Sequence, residues 1–171
     1  GYLELVRAAN SQRSNGNPIE LSDVFFMAPF MLADGETKEL RISLSKETNA
    51  TFVISSKLGN SSQEHVRGQL RVLEAQLAKS IDIEEILARC QERMREFDRD
   101  EHDQLAWGMR WNNLRKMQYG KHEAVATLAL PAEYASDLAE HKLHPAMLDL
   151  ATAGAQDLIT NFSAEKDFYV P

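Results

Sequence analysis

The chain has 171 residues, of which 43% are hydrophobic, and a formal net charge of −7 at pH 7. A chain of this length and composition can bury a core, either as one domain or as two small subdomains. The acidic balance argues against a nucleic-acid surface, which needs clustered Lys and Arg, and no apolar run is long enough to span a membrane. The single cysteine, Cys90, excludes an internal disulfide and a cysteine-based zinc site. A cytoplasmic location is therefore expected.

The first half of the chain predicts one helix followed by antiparallel strands. Residues 2–9 are strong helix formers with an apolar face, and the Asn, Ser and Gly of residues 10–18 predict a loop. Apolar runs and alternating patterns predict four strands, at residues 23–32, 39–45, 49–55 and 64–73. Pro29, inside the first of them, indicates an edge position, a bulge or a break. This order indicates an α+β fold in which a sheet wraps around a helix.

Residues 74–103 predict an amphipathic helical connector, because their apolar residues recur at helical spacing among charged ones. Asp82 and Glu85 resemble a capping box at its start. Cys90, on the apolar side, is interpreted as a small core residue in preference to a nucleophile. Residues 95–103 are interpreted as a solvated face or a flexible loop. Further on, residues 123–130 alternate as a largely buried strand.

A helix is predicted over residues 145–159. Pro145 suits the first turn, where its missing N–H costs nothing, and apolar residues recur after it at helical spacing. Asp149 interrupts this apolar run near the start of the helix. One interpretation is that its carboxylate complements the helix dipole, and the other is that it is a catalytic group. Asp157, later in the same segment, is expected to be solvated.

The six residues 144–149, His-Pro-Ala-Met-Leu-Asp, resemble the second catalytic motif of polyketide synthase dehydratase domains, His-Pro-x-Leu-Leu-Asp. In that family the motif opens the helix of the second hotdog subdomain. Residues 2–9 look like the helix of the first subdomain, 64–68 like its closing strand, and 86–90 like the linker between the two. The resemblance implies a double hotdog, α+β, with antiparallel sheet wrapped around central helices.

The same resemblance implies a division into three parts. Residues 1–75 are predicted to be part of the N-terminal hotdog subdomain and residues 76–103 a helical linker. Residues 104–171 are predicted to be part of the C-terminal hotdog subdomain. The partners implied are an acyl carrier protein and the neighbouring domains of a synthase that is a homodimer when intact, with no nucleic acid and no membrane. No metal or cofactor is implied, since the substrate is carried on the phosphopantetheine of the carrier protein.

The reaction that the resemblance implies is that of a hydro-lyase. A 3-hydroxyacyl thioester on the carrier protein loses water and becomes a 2,3-enoyl thioester. Asp149 is the implied acid, which requires a carboxyl group kept protonated. Burial against Met147, Leu148 and Trp111 would favour that state. The implied base is the histidine of a His-x-x-x-Gly-x-x-x-x-Pro motif, which none of the five histidines of this sequence matches. We therefore expect an internal fragment that is inactive alone.

A second family motif, Tyr-Gly-Pro-x-Phe, resembles residues 107–111, Trp-Gly-Met-Arg-Trp. The implied substrate-binding residues are Trp107, Gly108, Trp111, His144, Pro145, Leu148 and Gln156. That both tryptophans are only core residues is an equally open interpretation. The family usually places Gln or His four residues after the catalytic Asp; Ala153 is found there in this sequence, and Gln156, seven residues on, could orient Asp149 through water. The alternatives in function are a non-catalytic structural domain of dehydratase type and an acyl-binding or product-template hotdog module.

Overall fold

The structure, a computed structural model, divides into two compact units, Gly1–Ala78 and Lys79–Pro171. The residues it describes are 1–14, 16–47, 49–74, 80–97 and 108–163. Each unit contains helix and antiparallel sheet, so the predicted α+β class is confirmed. Among the described residues, no helix combines the length and the apolar character that crossing a membrane requires.

The first unit is a helix packed on a sheet. Its elements are the helix α1 (Tyr2–Ser14) and the strands β1 (Ile19–Phe26), β2 (Leu40–Leu44), β3 (Asn49–Leu58) and β4 (Ser61–Val72). Within the described residues these strands form one antiparallel sheet in the order β1-β4-β3-β2. Val6 of α1 is fully buried in a core with side chains from the two central strands, Phe52, Ile54, Val66 and Leu70. The predicted arrangement of a sheet against this helix is therefore confirmed.

Two boundaries predicted for this unit are wrong. The helix continues through part of the predicted loop, to Ser14, and the hydroxyls of Ser11 and Ser14 donate to the carbonyls of Ala8 and Ser11 in its last turns. The strand predicted at 23–32 lies at Ile19–Phe26, where its backbone pairs with β4. Residues 27–39 form no strand, which agrees with the break that Pro29 allows.

A bulge shapes β1 and explains a glycine in the strand beside it. The pairing of β1 with β4 shifts between Ser22 and Phe25, and Asp23 there has a φ of 48°. Gly68 of β4 lies opposite. A Cβ at Gly68 would meet the ring of Phe52 at 2.7 Å and the carbonyl oxygen of Ser22 at 3.1 Å. Glycine is thus required where the core aromatic ring packs on the strand.

His65 connects the segment after β1 to the sheet. Its ring is 3% exposed and lies 2.8 Å (Nε2) from the Ser56 hydroxyl and 3.1 Å (Nδ1) from the carbonyl oxygen of Ala28. The backbone carbonyl of His65 also accepts the N–H of Met27 at 2.7 Å. Both ring nitrogens are therefore engaged in holding the fold, in agreement with the exclusion of this histidine as a catalytic base.

The second unit contains a second antiparallel sheet and several short helices. Its elements are α2 (Ile83–Arg89), β5 (Arg93–Glu96), β6 (Leu114–Tyr119), β7 (Ala124–Leu128), α3 (Asp137–Glu140) and α4 (Pro145–Ala153). Short 3₁₀ segments lie at Met109–Trp111, Ala132–Tyr134 and Gly154–Leu158. Among the described residues the strand order is β5-β6-β7, and α4 contacts β7 and the first 3₁₀ segment.

The helical interpretation of residues 74–103 is only partly correct. Asp82 does cap α2, accepting the N–H of Glu85 at 3.1 Å, but the helix stops before Cys90 and Arg93–Glu96 is a strand. Pairing with β6 gives this stretch backbone hydrogen bonds that a short helix could not supply. Cys90 is 1% exposed, so its interpretation as a core residue is confirmed.

The end of α2 packs tightly on the turn between β6 and β7. A Cβ at Gly120 would lie 2.6 Å from the carbonyl oxygen of Arg89. The Arg89 guanidinium forms an ion pair of 2.6 Å with Glu123, and the Cys90 sulfur lies 3.9 Å from the carbonyl oxygen of Glu123. The end of α2 and the turn between β6 and β7 thus form a closely packed corner of the second unit, and the thiol of Cys90 lies in it.

Candidate active site around Asp149

The helix α4 begins as predicted and ends earlier. His144 is its N-cap residue, Pro145 occupies the first turn, and the N–H of Leu148 bonds to the carbonyl of His144 at 2.9 Å. After Ala153 the chain tightens into the 3₁₀ segment Gly154–Leu158 instead of continuing as an α-helix. The sulfur and methyl of Met117 would lie within 3.3 Å of a Cβ at Gly154, so this tightening occurs against the core of the sheet.

Asp149 is half-buried on α4, and a described residue donates a hydrogen bond to its carboxyl group. The indole Nε1–H of Trp111 donates to Oδ2 over 2.8 Å. Trp111 ends the 3₁₀ segment that packs on α4, and its own backbone N–H bonds to the carbonyl of Gly108 at 2.8 Å. Within the described part of the chain no donor reaches Oδ1 of Asp149. The carboxyl group is thus held through Oδ2.

Asn113 fixes the position of the segment that carries Trp111. Its side chain is fully buried, and Nδ2 donates to the carbonyls of Arg110 at 2.9 Å and Ala146 at 3.1 Å. Its backbone carbonyl accepts the N–H of Ala129 at 2.7 Å. The sequence analysis did not identify this residue. In the sequence, the only sign of its role is a polar side chain between Trp111 and the following strand. Its contact with the first turn of α4 depends on the fold.

A cluster of charged side chains lies next to the start of α4. Arg110 contacts Asp137 at 2.5 Å, and Nε2 of the buried His144 lies 3.5 Å from the same carboxylate oxygen. The hydrogen bond from Arg110 lowers the pKa of Asp137, and the contact with His144 acts in the same direction. The guanidinium also stacks over the ring of Tyr134 at 4.2 Å. The predicted substrate-binding residue His144 is therefore held by an ion-paired side chain.

The other predicted site residues have different surroundings. Gly108 is exposed at the start of the 3₁₀ segment, whereas Pro145 and Leu148 are half-buried on α4. Gln156 lies on the later 3₁₀ segment, and within the described residues no hydrogen bond joins it to Asp149. Trp107 lies outside the described residues. The structure thus groups Trp111, His144, Pro145 and Leu148 around the start of α4 with Asp149, and leaves Gln156 beyond its end.

Asp157, expected to be solvated, has two partners. The hydroxyl of Tyr119 donates to its Oδ2 over 2.5 Å, and Arg93 lies 3.5 Å from the same oxygen. Burial, together with this hydrogen bond, raises the pKa of Tyr119 to about 12. Asp157 is nevertheless exposed, so the expectation that it is solvated is confirmed, and its carboxylate also links the 3₁₀ segment to β6.

The described residues contain no group of three or more His, Cys, Asp or Glu side chains placed to hold a metal ion. The chemistry that the site offers is that of a single half-buried carboxyl group beside an aromatic donor. Such a group can transfer a proton to or from a bound molecule. The second titratable cluster, Arg110 with Asp137, is an ion pair and holds its charges in place.

The sequence and the fold resemble those of known proteins. The family model described as polyketide synthase dehydratase N-terminal domain matches residues 78–171. The polyketide synthase PksN of Bacillus subtilis (strain 168) is 25% identical over 182 residues, covering 96% of this chain. A trans-AT polyketide synthase dehydratase domain from Brevibacillus brevis is 24% identical with a TM-score of 0.79, over 96% of this chain and 61% of that one.

A further solved structure, an inactive mutant of the CurK dehydratase, is 24% identical with a TM-score of 0.80, covering 99% of this chain and 62% of that one. This likeness confirms the hotdog-type fold. The chain spans about three fifths of the length of these dehydratase structures and 3% of PksN. With the family model matching more than half of its residues, the chain belongs to the dehydratase domains of polyketide synthases.

Proposed function

We propose that this chain supplies the acid of a dehydratase active site, with Asp149 protonating the hydroxyl group that leaves as water. The observation that carries the proposal is the setting of this carboxyl group. It is half-buried on α4, and a neutral donor, the indole of Trp111, engages Oδ2. Among the described residues no cation pairs with this carboxyl group, and a positioned carboxyl group of this kind is suited to act as a general acid.

The proposed substrate is a 3-hydroxyacyl thioester on the phosphopantetheine arm of an acyl carrier protein. A base removes the proton from C2, and the electron pair of that bond forms the C2–C3 double bond as the C3–O bond breaks. The departing hydroxyl takes the proton of Asp149 and leaves as water. The products are a 2,3-enoyl thioester and an ionised Asp149, which regains a proton before the next turnover. The reaction is redox-neutral and requires no cofactor or metal.

The base is the histidine of the His-x-x-x-Gly-x-x-x-x-Pro motif that the family resemblance implies and that these 171 residues do not contain. The 171 residues by themselves are accordingly proposed to be inactive. One positioned acid or base contributes roughly 10²–10⁴-fold to such a rate. In the full-length protein the partners are the carrier protein and the neighbouring domains of a cytoplasmic, homodimeric synthase.

The test replaces the acid in the full-length protein that contains this chain. Asp149→Asn keeps the size of the side chain and its capacity to accept the indole N–H, but it removes the acidic proton. We expect it to abolish the loss of one water from a 3-hydroxyacyl carrier protein, followed by mass spectrometry. Asp157→Asn is the matched control, because it makes the same change on the following 3₁₀ segment and is expected to retain turnover.

Near-normal water loss in Asp149→Asn would contradict the proposal. An unmodified protein that binds the acyl carrier substrate without removing water would favour the alternative of an acyl-binding module. An unmodified protein that neither binds nor converts the substrate would favour a structural role. The three outcomes are separated by one binding measurement and one mass spectrum.

A further inference from the structure

We infer that Trp111 is a positioning residue for Asp149, and that its indole N–H determines which carboxyl oxygen carries the acid proton. This inference rests on the proposed function. It begins from the contact between Nε1 of Trp111 and Oδ2 of Asp149, a hydrogen bond of 2.8 Å between two half-buried side chains. An indole nitrogen is a donor only, so Oδ2 must accept.

The direction of that bond has a chemical consequence. In a protonated carboxyl group one oxygen is a carbonyl acceptor and the other carries the hydrogen. Because Oδ2 is the acceptor for Trp111, the proton is placed on Oδ1, which no donor reaches among the described residues. The bond can therefore persist while Asp149 donates its proton and regains it.

The nature of the donor matters as much as its position. An arginine, a lysine or a protonated histidine at this place would bring a positive charge and favour the ionised carboxylate. The indole is neutral, so it orients the carboxyl group with a weaker bias toward ionisation. Arg110, the residue before Trp111, is instead paired with Asp137 at 2.5 Å. The cation nearest in sequence is thus directed to another carboxylate.

On α4 itself, the hydroxyl of Thr152 donates to the backbone carbonyls of Leu148 and Asp149, so it does not serve the Asp149 carboxyl group. Ala153, one turn after Asp149 on the same face, has no polar group, and Gln156 lies beyond the end of α4 on the 3₁₀ segment. The segment that carries Trp111 is in turn held by Asn113, whose side-chain amide donates to the carbonyls of Arg110 and Ala146. This amide links the tryptophan segment to the first turn of the helix that carries Asp149, so the two side chains are held in register.

The test removes the N–H and retains the ring. In the full-length protein, Trp111 is replaced by 3-benzothienylalanine, which has the same fused rings with sulfur in place of the N–H, and separately by Trp111→Phe. We expect kcat for water loss to fall roughly 10-fold to 100-fold in both variants, because a displaced catalytic group costs about that much, with KM changed less than threefold. Tyr119→Phe is the matched control, since it removes an aromatic donor from another carboxylate of the same unit and is expected to leave kcat unchanged.

A second readout does not depend on turnover. In ¹⁵N-labelled protein the indole resonance of Trp111, identified by its absence in Trp111→Phe, should move in Asp149→Ala, because the indole N–H then loses its acceptor. Asp157→Ala, the control, should leave this resonance in place. The inference alone would be overturned if both Trp111 variants lost water at the unmodified rate. It would also be overturned if the indole resonance did not respond to the replacement of Asp149. Water loss absent already from the unmodified protein would contradict the proposed function, and with it the role of Trp111.

Discussion

At the scale of single residues, the second unit depends on side chains that are small or absent. Gly120 lies where a Cβ would be 2.6 Å from the carbonyl oxygen of Arg89, a backbone atom that cannot move by itself. At Gly154 the nearest atoms to a Cβ would be the flexible end of Met117, at 3.2 Å and 3.3 Å. The two glycines thus differ in what a Cβ would meet, a backbone atom at Gly120 and a flexible side chain at Gly154.

We therefore expect Gly120→Ala to lower the free energy of unfolding by about 1–3 kcal/mol, because the backbone of α2 or the turn must shift. Gly154→Ala, the control, should change it by less than about 0.5 kcal/mol, since Met117 can adjust and alanine favours helical backbone. Urea unfolding of the two variants, followed by circular dichroism, provides the measurement. Equal losses in both would show that the contact with Arg89 is not what requires glycine.

Sequence reasoning predicted some of these residues and missed others for a physical reason. Asp149, His144 and Pro145 lie in one contiguous motif, so their grouping follows from local chain geometry. Asn113 and Ala146 are 33 positions apart, and their hydrogen bond depends on how the segment carrying Trp111 meets α4. The contact of Trp111 with Asp149 spans 38 positions and was anticipated only as apolar packing, because a periodic pattern does not show the direction of an N–H.

At the scale of elements, one hydrogen bond joins β6 to the 3₁₀ segment after α4. Tyr119, at the end of the strand, is 4% exposed and donates its hydroxyl proton to Asp157. Its pKa of about 12 lies above the ordinary value near 10, because burial and the nearby carboxylate both favour the neutral phenol. A group whose pKa is raised on folding contributes stability below its unfolded pKa and loses that contribution as the pH rises through its folded pKa.

The free energy of unfolding should thus fall as the pH is raised from about 10 to about 12. In Tyr119→Phe this alkaline decline should be smaller, and stability at neutral pH should be lower by roughly 0.5–1.5 kcal/mol for the lost hydrogen bond. Thermal unfolding across this pH range, compared between the two proteins, makes the measurement. An equally steep alkaline decline in the phenylalanine variant would assign the effect to other groups.

The elements themselves were predictable where the pattern was local and regular. Alternating Leu40, Ile42 and Leu44 correctly predicted β2, and the strong helix formers after Gly1 correctly predicted the start of α1. Arg93–Glu96 was missed, because four exposed residues carry no alternation of burial and become a strand only by pairing with β6. The early end of α4 was missed because Gly154 and Leu158 continue the helical spacing of the apolar residues, although the chain forms a 3₁₀ segment there.

At the scale of the whole molecule, the first unit presents apolar side chains to solvent near its edge strand. Within the described residues β1 has a pairing partner on one side only. Phe25 is 58% exposed and Met31 is 70% exposed, and three further apolar side chains of the same stretch, Phe26, Met27 and Leu32, are more than half exposed. Exposed apolar stretches beside an open edge favour association between chains.

We expect the 171-residue chain to self-associate in a concentration-dependent manner through this stretch. Replacing Phe25→Ser and Met31→Ser together should weaken the association by roughly tenfold per side chain removed from the contact. Ile83→Ser, which removes an apolar side chain that is 60% exposed on α2, outside this stretch, serves as the control. Sedimentation velocity over a range of concentrations measures the effect. A monomeric unmodified chain would contradict the prediction.

The burial of Cys90 makes the rate of thiol labelling a measure of local opening in the second unit. As the only cysteine of the sequence, Cys90 is 1% exposed against the turn that follows β6, so a thiol reagent reaches it only when that corner opens. The rate of labelling then measures how often the corner opens, and each 1.4 kcal/mol lost from the opening free energy should speed labelling about tenfold. Gly120→Ala, whose strain falls on the neighbouring Arg89, should speed the labelling of Cys90, whereas Gly154→Ala should leave the labelling rate unchanged.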